Sequence, residues 1–158
     1  MTHTREAAHA AEDGWWSVGV ALFLVGPAWD AVKLPAPLVH GLAEGGDRGR
    51  VRAILHRFGV TGPVFLNRET YVALVPPGTA ATWNAAAECV TTTDREAHYM
   101  GLPAPHACDG PWAHWVIPPG TVLSPSAAVR DLVAAGAYID STDTAEAADA
   151  EEAEEADS

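Results

Sequence analysis

Apolar residues in this chain come in short runs that glycine and proline interrupt. The first of them, Val18–Val25, has eight residues and stops at Gly26-Pro27. A membrane helix needs about 20 apolar residues, and an export signal needs a basic segment before its apolar run. The acidic and basic residues before Val18 do not form such a segment, so we expect a cytoplasmic protein without a membrane partner. The β-rich composition of the run predicts a buried central strand.

Other short segments alternate between strand and turn character. Asn67-Arg68-Glu69 separates two apolar segments and predicts the turn of a hairpin. Pro76-Pro77-Gly78 and Pro118-Pro119-Gly120 each end a β-rich run, because proline cannot donate to a sheet ladder. The predicted strands after the first are Ala31–Leu34, Val64–Leu66, Thr70–Val75, Glu88–Thr91, His98–Leu102 and Trp112–Ile117.

One segment, Asp47–Phe58, has the clear period of an amphipathic helix. Its apolar residues fall at i, i+3, i+4 and i+7 and form one stripe. Asp47 is the expected N-cap and Gly59 the expected C-terminal glycine. Weaker signals predict a helix through Leu38–Leu42, one turn at Thr79–Trp83, and a last helix capped by Ser124 before Pro125 and ended by Gly136. Together these elements predict an α+β fold, with helices packed on one side of a central, mostly antiparallel sheet and with Pro-rich loops.

Charge divides the chain into segments. The formal net charge is −12, but eight of the 21 acidic residues lie in Thr142–Ser158, which has no Lys or Arg. The remaining 13 acidic residues face nine basic ones, so the overall acidity does not exclude a nucleic-acid partner for the folded part. We expect residues 1–13 to be disordered, residues 14–141 to form one α+β domain, and residues 142–158 to be a disordered acidic tail.

The basic residues cluster on the predicted helix at residues 47–58. There, Arg50 and Arg57 share one flank of the apolar stripe, and Arg52 shares the other with His56. A solvated helix with arginine stems over its apolar edge is the ordinary interpretation. The alternative is an electrostatic surface for phosphate, with tryptophans available to stack on bases. The predicted nucleic-acid-binding residues are Arg48, Arg50, Arg52, Arg57, Trp112 and Trp115.

Metal and nucleophile chemistry have no complete motif. Several possible zinc ligands lie close together, but their spacing matches no closed zinc motif, so no metal site is predicted. Cys89 and Cys108 are expected to be free thiols, as is usual in the cytosol. No Gly-x-Ser-x-Gly elbow favours a hydrolase, and the glycines before Arg48 lack the pattern of a phosphate-binding loop. The possible zinc ligands are His98, His106, Cys108, Asp109 and His114.

Two stretches resemble the N-terminal domain of bifunctional DNA primase/polymerases, in its small actinobacterial form. The first runs from Gly62 to Ala80 and resembles the family's strand pair that ends in a Val-Pro-Pro-Gly turn. The second, Tyr99–Trp115, resembles its strand, Pro-rich loop and Trp-bearing strand. The segments Gly14-Trp15 and Trp29–Pro35 are similar in style. The resemblance implies a primase/polymerase-like fold and a role in DNA replication or in a mobile element.

The resemblance also implies a degenerate relative. Polymerase chemistry needs two divalent ions held by closely spaced carboxylates, and residues 14–141 contain no Asp-x-Asp. Asp94-Arg95-Glu96 is expected to be a surface turn, which leaves Asp30, after the first strand, as the one catalytic candidate. Thr70 stands near the family's strand histidine. The predicted function is therefore non-catalytic binding of nucleic acid or nucleotide, with no cofactor.

Two alternatives remain open. One is a protein-interaction module of the same fold, whose partner would be another protein. The other is a divergent nucleotidyltransferase that uses Mg²⁺ or Mn²⁺ through Asp30.

Overall fold

The computed structural model describes residues 20–108, 113–120 and 122–139. Over these ranges the chain forms seven strands and four helices. The strands are β1 (Val20–Leu24), β2 (Asp30–Pro35), β3 (Val64–Asn67), β4 (Thr70–Val75), β5 (Glu88–Val90), β6 (Tyr99–Pro103) and β7 (His114–Ile117). The helices are α1 (Ala36–Ala43), α2 (Arg48–Arg57), α3 (Thr79–Thr82) and α4 (residues 126–139).

The strands form two antiparallel sheets. The main sheet has five strands in the order β5-β2-β4-β3-β7, and β1 pairs with β6 in a separate two-stranded sheet. Every strand pair in the described residues is antiparallel. The predicted α+β class with a mostly antiparallel sheet is therefore confirmed.

The alternation of β4 shows how the layers are arranged. Tyr71, Ala73 and Val75 point to one face of the main sheet and join a core that the apolar residues of α1, α2 and α4 complete. Val72 and Leu74 point to the other face and join a smaller core, to which β6 also contributes. Successive side chains of a strand point to opposite faces of the sheet. Strand β4 is therefore buried on both of its faces. Helices α1, α2 and α4 cover one face of the main sheet, and part of the two-stranded sheet covers the other.

The prediction of a central strand at Val18–Val25 is wrong. In the described residues β1 pairs along one edge only, with β6. Leu22 is 72% exposed and Leu24 39% exposed, whereas Ala21 is buried. An apolar run of β-prone residues predicts a strand but does not determine its neighbours, because pairing partners are chosen by the rest of the chain. This sheet consequently presents apolar side chains on its outer face.

Both expected ends of α2 are confirmed. The Asp47 carboxylate accepts a hydrogen bond from the backbone N–H of Arg50 at 3.2 Å. Gly59 has a φ of +84°, the left-handed conformation in which glycine is favoured after a helix. Val51 and Leu55 are fully buried, so the predicted stripe faces the sheet and the rest of α2 faces solvent.

The expected boundaries of the last helix are wrong at both ends. α4 runs past Gly136 to residue 139, and that glycine is buried within it. A Cβ on Gly136 would lie 2.5 Å from Cγ of Leu38, so the glycine permits α4 to approach α1 closely rather than ending the helix. The Ser124 hydroxyl accepts from the backbone N–H of Gly62 at 2.9 Å, and the first backbone bonds of α4 go to the carbonyl of Pro125.

Candidate nucleic-acid interface

The four arginines of α2 are all exposed. The helix contains no acidic residue, and no carboxylate of the described residues lies within 4.0 Å of these guanidinium groups. Arg50 is held in place by a 2.9 Å hydrogen bond from its Nη1 to the carbonyl of Glu44. At 100° per residue, Arg48 and Arg52 lie on one flank of the helix and Arg50 and Arg57 on the other. The predicted basic cluster is thus brought together, as two flanks of one solvent-facing helix.

Two of these arginines lie where an isolated helix disfavours them. Arg48 and Arg50 are in the first turn, beside the positive end of the helix dipole. A cation there costs about 0.3–1 kcal/mol, where an acidic residue would be favourable. The Asp47 cap offsets part of this cost. Residues that oppose the stability of their own helix are typical of a functional surface.

A cleft with charged side chains of both signs lies on the opposite face of the main sheet. A cleft of about 650 Å³ opens between the main sheet and β6. Phe65 and Val72, which belong to the smaller core, line its floor, whereas α2 packs on the larger core. Lys33 and Arg68 bring two positive charges to it, and Glu69 brings one negative charge. Lys33 lies 3.9 Å from Glu88, but both side chains are more than 40% exposed, so this ion pair is weak.

An exposed aromatic ring lies beside this cleft. Tyr99 is 63% exposed at the start of β6 and lines the cleft. Its free ring face is the kind of surface on which a base stacks. The sequence prediction missed Tyr99, because a tyrosine in a short strand looks the same whether its face is covered or open. In β6, Leu102 is buried and Tyr99 is exposed. Because side chains alternate along a strand, the two residues lie on opposite faces of β6.

The prediction that Trp115 contacts nucleic acid is wrong. Its side chain is 2% exposed, and its ring lies edge-on to Phe65 with centroids 5.3 Å apart. The indole N–H donates to the carbonyls of Pro103 at 3.2 Å and Ala104 at 3.0 Å. Both faces and the polar edge of the ring are therefore used inside the protein. Trp112, the other predicted stacking residue, lies outside the described residues.

Asp30, the catalytic candidate, is the first residue of β2 and is fully buried. Its Oδ2 accepts from the backbone N–H of Ala80 at 2.9 Å, which ties β2 to the first turn of α3. Its Oδ1 has no hydrogen-bond partner among the described residues. A group outside the fold cannot reach this carboxylate, so the side chain holds the loop after Pro76-Pro77-Gly78 rather than a substrate. In the described ranges no three His, Cys, Asp or Glu side chains converge as metal ligands.

Cys89 lies close to Asp30 and is the most perturbed thiol of the described residues. Burial, followed by the negative charge of Asp30, raises the pKa of the Cys89 thiol to about 11. Both effects disfavour the thiolate, which is the nucleophilic form. Cys89 is thus an inert, protonated thiol at neutral pH, and the expectation of free cysteines is met at both positions.

Alkylation of Cys89 is expected to be slow and to respond to Asp30. A pKa raised from 9.0 to about 11 lowers the thiolate fraction at pH 8 about 100-fold. In a Cys108→Ser background, the iodoacetamide rate should keep rising with pH beyond pH 9, and Asp30→Asn should shift the profile to lower pH. The unfolded chain in urea provides the ordinary thiol rate as a control. A folded-state rate equal to that control would contradict the assignment.

No helix in the described part of the chain is long and apolar enough to cross a membrane. No protein-family model matches the chain, and neither curated proteins nor solved structures give a significant match. The chain is thus an α+β protein with an arginine-rich helix on one side of its main sheet and a charged cleft on the other.

Proposed function

We propose that this chain is a non-catalytic, nucleic-acid-binding protein of the primase/polymerase-like kind. The observation that carries the proposal is α2, with four exposed arginines and no carboxylate within the helix. Arginine guanidinium groups bind phosphate oxygens through charge-assisted and often bidentate hydrogen bonds. The primase/polymerase-like fold, and a role in DNA replication or in a mobile element, rest on the resemblance of Gly62–Ala80 and Tyr99–Trp115 to that family.

The dimensions of α2 suit a short length of backbone. Ten residues at about 1.5 Å each make a helix about 15 Å long. A stacked strand advances about 3.4 Å per phosphate, so α2 spans about four phosphates. Arginine contacts to phosphate carry no sequence information, so the expected binding is not sequence-specific.

The carboxylates of the chain support the absence of catalysis. Asp30 is buried and engaged with α3, and residues 14–141 contain no Asp-x-Asp that could place two carboxylates on one side of a strand. Asp94 and Glu96 are exposed in a turn, as expected. Nucleotide transfer by two metal ions would need acidic ligands that these positions do not supply.

The test is the binding of a fluorescein-labelled, 20-nucleotide oligothymidine to the full chain, measured by anisotropy between 25 and 300 mM NaCl. The eight carboxylates of Thr142–Ser158 could compete with the oligonucleotide. A second full-length protein, the neutral-tail chain, therefore has these eight residues replaced by Asn or Gln. About four released counterions predict a log–log slope near −3, at about −0.7 per phosphate.

Binding by either protein with such a slope would support the proposal. If neither protein binds at 25 mM NaCl, the nucleic-acid function is wrong, and the protein-interaction alternative becomes the working hypothesis. Binding that does not change with salt would also contradict the role given to the arginines, because phosphate contacts of this kind release counterions.

A further inference from the structure

A groove of about 400 Å³ runs between α1 and α2, on the Arg50 and Arg57 flank. Its lining combines apolar side chains with the two arginines and the exposed Glu44, so the charged side chains leave it with a net charge of +1. The hydrogen bond from Arg50 to the carbonyl of Glu44 fixes one guanidinium at the wall. Such a groove suits a peptide that alternates small apolar and acidic side chains. The apolar lining residues are Leu42, Ala43, Ala53 and Ile54.

The last residue of the described chain packs on α1, one of the two helices that form this groove. A Cβ on Gly41 of α1 would lie 3.8 Å from Cγ2 of Ile139, near the end of α4. Gly136 lies against Leu38, one turn earlier on α1. At 100° per residue, Leu38 and Gly41 lie on a different side of α1 from Ala43, which lines the groove. The residues that follow Ile139 need to cross about one helix diameter, roughly 10 Å, to enter the groove.

The sequence after that point complements the groove. Thr142–Ser158 consists mainly of alanine and of eight acidic residues, without Lys or Arg. An extended chain covers at most about 3.3–3.6 Å per residue, so three or four residues after Ile139 cover the distance. Asp143 and the acidic residues after it are therefore all within reach of Arg50 and Arg57.

We propose that the acidic segment Thr142–Ser158 binds in the α1–α2 groove and competes with nucleic acid for Arg50 and Arg57. The competition rests on the proposed function, whereas the contact between the segment and the groove does not. Alanine methyl groups pack on the apolar lining residues, and carboxylates pair with the two guanidinium groups. Arg48 and Arg52, on the other flank of α2, stay open to solvent.

Because the acidic segment is covalently attached near the groove, even a weak contact would form in most molecules. A short covalent connection gives an effective concentration in the millimolar range, so even a contact of about 0.1 mM affinity would be mostly formed. A nucleic acid then binds only the fraction of molecules whose groove is open. Neutralising the segment is expected to tighten oligothymidine binding at 50 mM NaCl by about tenfold. The difference should disappear at high salt, where both interactions are screened.

The direct test uses a fluorescein-labelled synthetic peptide of Thr142–Ser158 and the neutral-tail chain, with anisotropy as the readout. The peptide should bind at 25 mM NaCl and dissociate as salt rises. Arg50→Glu/Arg57→Glu should abolish this binding. Arg48→Glu/Arg52→Glu makes the same charge change on the other flank and should weaken it no more than about threefold. No binding, or equal loss in both variants, would overturn the groove assignment.

A second comparison separates docking from general repulsion. Neutralising the tail removes eight negative charges, which by itself would favour DNA. If the segment docks in the groove, the gain in oligothymidine affinity is lost in the Arg50→Glu/Arg57→Glu background and kept in the Arg48→Glu/Arg52→Glu background. An equal gain in both backgrounds would mean repulsion alone and would overturn the competition.

These experiments distinguish failure of the nucleic-acid-binding function from failure of the contact between the acidic segment and the groove. If the peptide binds with the expected flank preference but neither full-length protein binds oligothymidine, the contact stands and the nucleic-acid function is wrong. If oligothymidine binds and the peptide does not, the function stands and the proposed contact is wrong.

Discussion

Replacing Trp115 by alanine is expected to lower the free energy of unfolding by about 3–5 kcal/mol. The side chain is 2% exposed, lies edge-on to Phe65, and donates to the carbonyls of Pro103 and Ala104 at the end of β6. It thus connects the main sheet to the two-stranded sheet. Truncation would leave a large cavity and remove the donor that serves both carbonyls. Domains of this size are stable by only about 5–15 kcal/mol, so the variant would be near the limit of folding.

Urea unfolding followed by far-UV circular dichroism measures this effect without relying on tryptophan fluorescence. Trp115→Phe keeps an aromatic ring at this position but loses the N–H donor and part of the ring volume, so it should cost less than Trp115→Ala, about 1–3 kcal/mol. Tyr99→Ala removes an exposed aromatic residue from the same region and should change stability by about 0.5 kcal/mol or less. A Trp115→Ala loss as small as that of Tyr99→Ala would contradict the buried position.

Replacing all four arginines of α2 by alanine is expected to weaken oligothymidine binding by the neutral-tail chain on the order of 10²–10³-fold at 50 mM NaCl. It should also flatten the log–log salt slope by about 3, because about four phosphate contacts are removed. Alanine is a strong helix former, and two of the replaced cations lie at the unfavourable end of the helix dipole. The thermal midpoint should therefore not fall, which separates lost binding from lost folding. The replaced residues are Arg48, Arg50, Arg52 and Arg57.

The control for this variant is Lys33→Ala/Arg68→Ala in the cleft on the opposite face of the main sheet. It removes two exposed cations and should leave oligothymidine affinity within about threefold of the parent protein. The reverse result, with affinity lost in the cleft variant and kept in the α2 variant, would move the site to the cleft. The stacking surface would then be Tyr99, the exposed ring beside it.

Helix α2 and the hairpin were predictable from the sequence because their signals are local. The apolar stripe of α2, its Asp47 cap and Gly59 all depend on residues within one or two turns. The hairpin follows from two β-prone segments around a polar turn, and β3 and β4 pair as expected. The α+β class and the exposure of the arginines follow from the same patterns, because a charged residue off the apolar stripe of a helix faces water.

The sequence did not indicate which side chains would be buried or which groups each of them would contact. Trp115 and Tyr99 are both aromatic residues in short strands, yet one is enclosed between two sheets and the other is open beside a cleft. Asp30 follows a strand, as a catalytic residue often does, but its partner is a backbone N–H 50 residues away in sequence. Gly136 has the appearance of a helix end and serves instead the close packing of α4 on α1. Each outcome depends on a contact distant in sequence, for which a single chain carries no local signal.

The sequence by itself determined the type and approximate limits of most elements, the basic character of α2, and the separation of an acidic segment from the rest. These properties depend on hydrophobic period, turn chemistry and charge, which act over a few residues. Only the tertiary structure decided that β1 pairs outside the main sheet, that Trp115 is enclosed and Tyr99 is open, and that α4 ends against α1, which forms one side of the groove of Arg50 and Arg57. The physical reason is that burial is a property of packed neighbours, and neighbours are set by long-range pairing rather than by any residue's own preference.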